Sequence, residues 1–267
     1  MNNDSDIIEY LLEDHSKWAD KIFIYDNGSS DNTWEIVNQI SLSNPKIVPW
    51  KKEKRPFNPG FRAEMFNEFR HFAHKGDWWC FMMDTDEFYI DDPREFLSKV
   101  PIAYQVVWGD AFLYNLTWED IEEYSFTNTS PHDSDQLKYY QPYTFTEPRF
   151  FRHRDRLKWS EDEPRPKRIG VANPKKIRFK HYQFRSPLQI QQRLDLRRKS
   201  TEEGYTRWGH TNQLDWKEKI VSRKDLIKET PEFSTLGCRN THIPGRKYSR
   251  IYHYYLPILL HFLKIYP

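Results

Sequence analysis

The chain has 267 residues, 37% of them hydrophobic, with 10 Trp, 16 Tyr and 18 Phe. That excludes a disordered chain and suits one large α/β domain or two small ones. Its 41 basic residues nearly balance 39 acidic ones, so a nucleic-acid partner is not expected, although a local basic patch can still hold phosphates. Two cysteines, Cys80 and Cys238, provide neither a disulfide framework nor a paired-cysteine zinc site, and a reducing cytoplasm fits.

The opening Met1-Asn2-Asn3-Asp4-Ser5-Asp6 is polar and predicts no signal peptide. Ser5 is placed to cap a first helix, in which Ile8, Leu11, Leu12 and His15 recur at helical spacing. Residues 21–25 read as a short buried strand, ended by the turn formers of Asp26 to Asp31. A second helix turns Trp34, Val37 and Ile36 or Ile40 inward, and residues 46–50 form a second strand, near an edge because of Pro49. A basic loop from Lys51 to Arg62 leads to a helix over about 62–74. The continuous apolar run Trp78 to Met83 then predicts a strand covered on both faces. It runs into Asp84-Thr85-Asp86-Glu87-Phe88. A short helix over 93–100 and a strand over 104–108 follow.

Strands alternating with helices predict an α/β fold with a mostly parallel central sheet flanked by helices. Ligands in such sheets lie beyond the carboxyl ends of the strands, where Asp26 and the Asp84–Asp86 pair both fall. The second half is less regular. Residues 161–168 are charged and proline-rich and read as a loop. Lys176 to Lys180 alternates like a strand that delivers His181. Ser186-Pro187-Leu188-Gln189 has the form of a capping box opening a helix to about Thr201. Without a repeat or a clear linker, residues 1–250 read as one domain. Residues 251–267 form an apolar tail behind Arg239, Arg246, Lys247 and Arg250. The tail reads either as a peripheral contact with an anionic membrane or as a buried terminal helix.

Residues i and i+2 of an extended segment point the same way, so Asp84 and Asp86 are expected on one side of a strand end. Their repulsion is relieved by a divalent cation, and hard oxygen ligands favour Mg²⁺ or Mn²⁺. Such a cation can neutralise a departing diphosphate. Asp26 is suited to accept from a base N–H or a ribose hydroxyl; capping the following helix, together with Asp31, is the other reading.

Tyr25-Asp26-Asn27-Gly28-Ser29-Ser30-Asp31-Asn32-Thr33 resembles the Asp-x-Gly-Ser-x-Asp-x-Thr block of family 2 glycosyltransferases. Asp84-Thr85-Asp86-Glu87-Phe88 resembles their metal-binding Asp-x-Asp, in the form of a bacterial subgroup. Asp4 to Glu9 and His181 to Ser186 are similar to that subgroup's opening and C-terminal segments. The resemblance implies a GT-A fold and transfer of a sugar from a nucleotide-sugar donor to a saccharide or glycolipid acceptor, with inversion. It places Asp26 at the base, Asp84 near the ribose, Asp86 on Mn²⁺ or Mg²⁺, His181 at the metal or diphosphate, and Arg62 facing the donor phosphates. Inversion requires a general base, for which Asp110, just past the strand ending at Trp108, and Asp162 or Glu163 in the charged loop are candidates. The resemblance further implies a role in surface polysaccharide or glycolipid synthesis. Family members begin with a β-strand ahead of the opening block, where this chain has Met1-Asn2-Asn3, so the first strand is expected missing or truncated, with sheet edges exposed.

Two other readings stand beside this one. A degenerate GT-A domain would bind without turnover. A haloacid dehalogenase-type phosphatase also uses Asp-x-Asp after a strand, but calls for Thr or Val where Phe88 stands and for the first strand rather than the third.

Overall fold

The computed structural model describes residues 1–56, 58, 60–81, 83–124, 136–202, 214–230 and 251–263, without the side chains of 143, 251–254, 257 and 261. Cys238 and the basic residues 239–250 lie outside this range.

The first elements form where the local pattern predicts them. Helix α1 (Ile8–Trp18) buries Ile8, Leu11, Leu12 and His15. Strand β1 (Ile22–Asp26) pairs in parallel with β2 (Ile47–Lys52) across helix α2 (Thr33–Ser43). Ser5 does not cap α1: its N–H donates to Asp31 instead. The register shift between Ile24 and Tyr25 accommodates the Pro49–Trp50 stretch of β2. Helix α3 (Phe61–Phe69) ends earlier than its sequence suggests, in a single 3₁₀ turn over Arg70–Phe72.

The larger sheet departs from expectation. It holds six strands in the order β3–β6–β5–β7–β4, with β8 beside β6. These are β3 (Trp78–Cys80), β4 (Glu87–Tyr89), β5 (Val106–Asn115), β6 (Tyr139–Arg152), β7 (Ile177–Phe184) and β8 (Ile227–Lys228). Only β5 and β7 run parallel; the other pairs are antiparallel. The protein is therefore α/β, but its main sheet is mostly antiparallel rather than mostly parallel. The reason lies in β6, a 14-residue strand that returns beside β5. Pro142 and Pro148 face β5 near its two register shifts, where a missing ladder N–H is tolerated. Helix α4 (Pro93–Ser98) is capped by Asp92, α5 (Trp118–Glu123) by a Thr117–Asp120 capping box, and α6 (Pro187–Glu202) starts at Pro187. Ser186 Oγ accepts from Gln189 N at 3.3 Å, while Gln189 reaches back to Arg185 N rather than to Ser186. A separate helix, α7 (Ile251–Phe262), carries the C-terminal segment.

The core joins α1, α2, β1 and β2 to β4, β5, β7 and α6 through Leu12, Val37, Phe112, Tyr114, Tyr182 and Ile190. Between β1 and β3 lies a cavity of about 710 Å³ lined by Ile22–Tyr25, Trp78–Phe81 and α1. Phe23 lines it, stacked on Phe69 at 4.1 Å and on Trp79 at 5.8 Å. Met1 N donates to Tyr25 O, and Asn27 N donates to Met1 O, both at 3.0 Å. This is one parallel bridge, opposite Asp26. Among the described residues no strand covers the rest of that edge of β1.

Candidate active site

The turn after β1 shows why its residue types are needed. Gly28 sits at φ +77°, and a Cβ there would lie 2.7 Å from Lys54 Cβ, so both conformation and space call for glycine. The polar residues around it latch the N-terminal segment. Asn3 N donates to Ser29 Oγ, Asp4 N to Thr33 Oγ1 and Ser5 N to Asp31, at 2.9, 2.9 and 3.2 Å. Asp26 is fully buried. Its Oδ1 accepts from Ser29 N and Oγ at 2.8 and 2.7 Å, and its Oδ2 has no hydrogen-bond partner. One oxygen thus shapes the turn. The other is a buried acceptor left open, which is costly without a ligand donor.

The Asp84–Asp86 pair does not lie on one face. The chain turns here, with Glu87 N donating to Asp84 O at 3.3 Å, so the period of two is lost. Asp84 is exposed on the cavity rim, where Arg62 Nη2 approaches its Oδ1 to 3.3 Å. Asp86 is buried beneath. Antiparallel pairing of β4 with β7 sets Glu87 opposite His181, and Tyr182 N donates to Asp86 O at 2.8 Å. His181 Nε2 thereby comes within 3.3 Å of Asp86 Oδ1.

Two arginines complete the cluster. Arg185, just past β7, makes two 2.8 Å bonds to Asp6 and stands 3.7 Å from Asp4 and 3.8 Å from Asp86. Arg193, from α6, donates to Asp86 Oδ2 at 3.0 Å. Burial works against the Asp86 charge, but His181, Arg193 and Arg185 prevail and hold its carboxyl well below the usual range. Burial likewise opposes the His181 charge, and Asp86 outweighs it, so the ring holds its proton above the ordinary histidine value. Arg197, one turn beyond Arg193, is pushed down to about 10 by burial and then by Arg193.

A second buried network supports the turn from below. Arg149 bonds Glu87 with both terminal nitrogens, at 2.5 and 2.7 Å, and reaches Glu147 at 2.6 Å. Glu87 also accepts from Asp84 N at 3.0 Å. Burial raises the Glu147 carboxyl; Arg149 opposes this, while Glu87 and Asp84 add to it.

Asp86 Oδ1 and His181 Nε2 are buried as a 3.3 Å ion pair, and His181 Nδ1 is buried without a hydrogen-bond partner. The Asp86 carboxylate fits Mn²⁺ or Mg²⁺, which often take one or two protein ligands and complete their shells with phosphate oxygens and water; the His181 imidazole suits Mn²⁺ better than Mg²⁺. A cation there must displace the His181 proton and share Asp86 with two guanidiniums. Among the described residues no group of three or more His, Cys, Asp or Glu side chains is arranged to hold a metal.

The three candidate bases fare differently. Asp110 is not past the end of a strand: it lies within β5, fully buried, with Lys176 Nζ 3.0 Å away. That is a structural ion pair, closed to an acceptor hydroxyl. Asp162 is exposed and Glu163 half-buried, paired with Lys167 at 2.6 Å. Their loop packs on the start of α3, where a Cβ on Gly60 would meet Glu161 O at 2.5 Å.

Comparison with models of known families and with curated proteins gives no match. The reading of the site therefore stands on its residues. Arg193, Arg149 and Glu147 have no sequence signal, because they arrive from elements far along the chain. Glu87 and Arg185 stand inside or beside the motifs, yet their partners are set by strand pairing.

Proposed function

We propose that the chain is a glycosyltransferase of the GT-A type, acting on a nucleotide-sugar donor. One observation carries the reading. Four separated segments, around Asp4–Asp6, Asp26–Thr33, Asp84–Asp86 and His181–Arg185, are bonded into one assembly with an open buried acceptor at Asp26 and a buried carboxylate at Asp86 ringed by His181, Arg185 and Arg193. Asp26 would take the base or ribose. Asp84 with Arg62 would meet the ribose or phosphates at the rim, and Arg185, Arg193 and Arg197 would face the diphosphate. A divalent cation on Asp86 and His181 would neutralise the charge that develops on the leaving nucleotide. Glu147 joins Asp162 and Glu163 as a candidate base, because its raised carboxyl stands near Asp84. The acceptor would be a saccharide or glycolipid, and the setting the cytoplasm. No described helix is long and apolar enough to cross a membrane.

The arginine cluster favours a second reading, in which guanidiniums alone hold the diphosphate and no metal is required. Calorimetric titration with UDP and GDP, with and without Mn²⁺, separates the two. Saturable binding that needs Mn²⁺ and is lost in Asp86→Ala supports the metal-dependent transferase. Equal binding without the metal supports the arginine site. A folded protein that binds neither nucleotide in either condition rules out the donor site.

A further inference from the structure

Two strand edges of this fold meet at the same cavity. Among the described residues β1 pairs only with β2, and β3 only with β6. Ile22 N donates to Lys46 O, so by the alternation of a strand Ile22 and Ile24 bond toward β2. Phe23 and Tyr25 then turn their backbone N–H and C=O groups to the opposite edge. On β3, His153 N donates to Asp77 O and Phe81 N donates to Arg149 O, which turns the Trp78 backbone to the edge away from β6. The cavity of about 710 Å³ is lined by both edges. Its walls are apolar on both faces of the sheet. Phe23 stacks on Phe69 of α3, while Ile24 belongs to the core cluster that holds Leu11 and Leu12 of α1. Successive strand residues point to opposite faces, so apolar helices cover each side.

Two chemistries suit apolar walls. A hydrocarbon chain satisfies the side chains but leaves the backbone groups along the Phe23–Tyr25 edge without partners, at the cost of burying them unpaired. An extended peptide satisfies the side chains and the backbone together. Met1 already shows the pairing geometry: its N donates to Tyr25 O and its O accepts from Asn27 N, both at 3.0 Å. That is one parallel rung at the end of β1, and the rungs beside Ile22 to Ile24 continue from it along the cavity. We propose that this cavity is a strand-acceptor site, where an extended apolar segment of a second polypeptide adds between β1 and β3, parallel to β1, and joins the two sheets. A strand covered on both faces is apolar throughout rather than alternating, so the segment is a continuous run of residues such as Val and Ile.

The proposal does not depend on the transferase reading, and its test measures neither activity nor nucleotide binding. The probe is a fluorescein-labelled peptide, Lys-Lys-Gly-Val-Ile-Val-Ile-Val-amide, whose apolar run matches the five residues of β1. It would be titrated with the full chain and followed by fluorescence anisotropy. Saturable binding is expected, with slower hydrogen exchange at Phe23 on one edge and Trp78 on the other. Methylating alternate backbone nitrogens of the peptide keeps its apolar side chains but removes N–H donors, and should weaken binding by about tenfold or more. A chain with Val-Ile-Val-Ile-Val fused ahead of Met1 should no longer take up the peptide, whereas a Gly-Ser fusion of equal length should bind it unchanged. No saturable binding by the folded chain, equal binding of the methylated peptide, or equal binding by both fusions would overturn the proposal. So would displacement of the peptide by sodium dodecanoate without protection at Phe23, which would assign the cavity to a hydrocarbon chain.

Discussion

Removing the Glu87 charge is expected to destabilise the whole fold and loosen the candidate site. Glu87 and Arg149 are 1% exposed each and meet through two contacts of 2.5 and 2.7 Å. Breaking a buried pair costs about 3–5 kcal/mol, mainly because the surviving charge is left without compensation. Here Glu147 still reaches Arg149 at 2.6 Å, and the guanidinium stands 3.9 Å from the Phe179 ring centroid. The expectation for Glu87→Gln is therefore the lower end, about 3 kcal/mol. Urea unfolding measures it, with the slope against urea unchanged if the denatured state is unaffected. In a double-mutant cycle, Arg149→Met should recover about 2 kcal/mol of the loss, because it removes the stranded cation. A loss under about 1 kcal/mol together with no coupling would refute the buried-charge argument. Because Glu87 also holds Asp84 N, the proposed nucleotide binding should weaken alongside.

Burial pushes His15 down to about 3, opposed only in part by a backbone contact with Leu11. Between that value and the ordinary 6.5 the unfolded chain binds more protons, so His15 favours folding above pH 6.5 and that contribution drains away as pH falls toward 3. Near pH 5 the loss is about 2 kcal/mol; His15→Leu should flatten the stability–pH curve there, and an unchanged curve would contradict the assignment. Gly109→Ala would place a Cβ 2.8 Å from Arg149 Cγ and 2.9 Å from the Phe179 ring; thermal melts should show a loss of about 1–3 kcal/mol. Thr117→Ala removes one half of the α5 capping box and should cost about 1 kcal/mol by urea melt. An extension of about five β-branched apolar residues ahead of Met1 should pair with β1, itself five residues long. Slower hydrogen exchange at Phe23 and Tyr25 is expected for it and not for a Gly-Ser extension of equal length; equal protection by both would dismiss the pairing.

The sequence by itself determined α1, β1, α2 and β2, because each is written in a local period: Leu11, Leu12 and His15 on one helical face, then a short apolar strand stopped at Asp26-Asn27-Gly28. It also singled out Asp26, Asp86 and His181, which the fold buries, the last two as an ion pair. It did not show which strands pair. β6 carries two prolines and no clean alternation, yet it forms the long antiparallel partner of β5 because both prolines fall at register shifts. That pairing converts an expected parallel sheet into a mostly antiparallel one, and it turns Asp110 from a strand-end acid into a buried partner of Lys176. Tertiary structure alone separated Asp84, left at the rim, from Asp86, sealed among His181, Arg185 and Arg193. The spacing of two residues says which side chains share a face only while the backbone stays extended, and here it turns. Charges brought from positions 149, 185 and 193 meet the motif through strand register and helix docking, which depend on contacts summed over the whole chain.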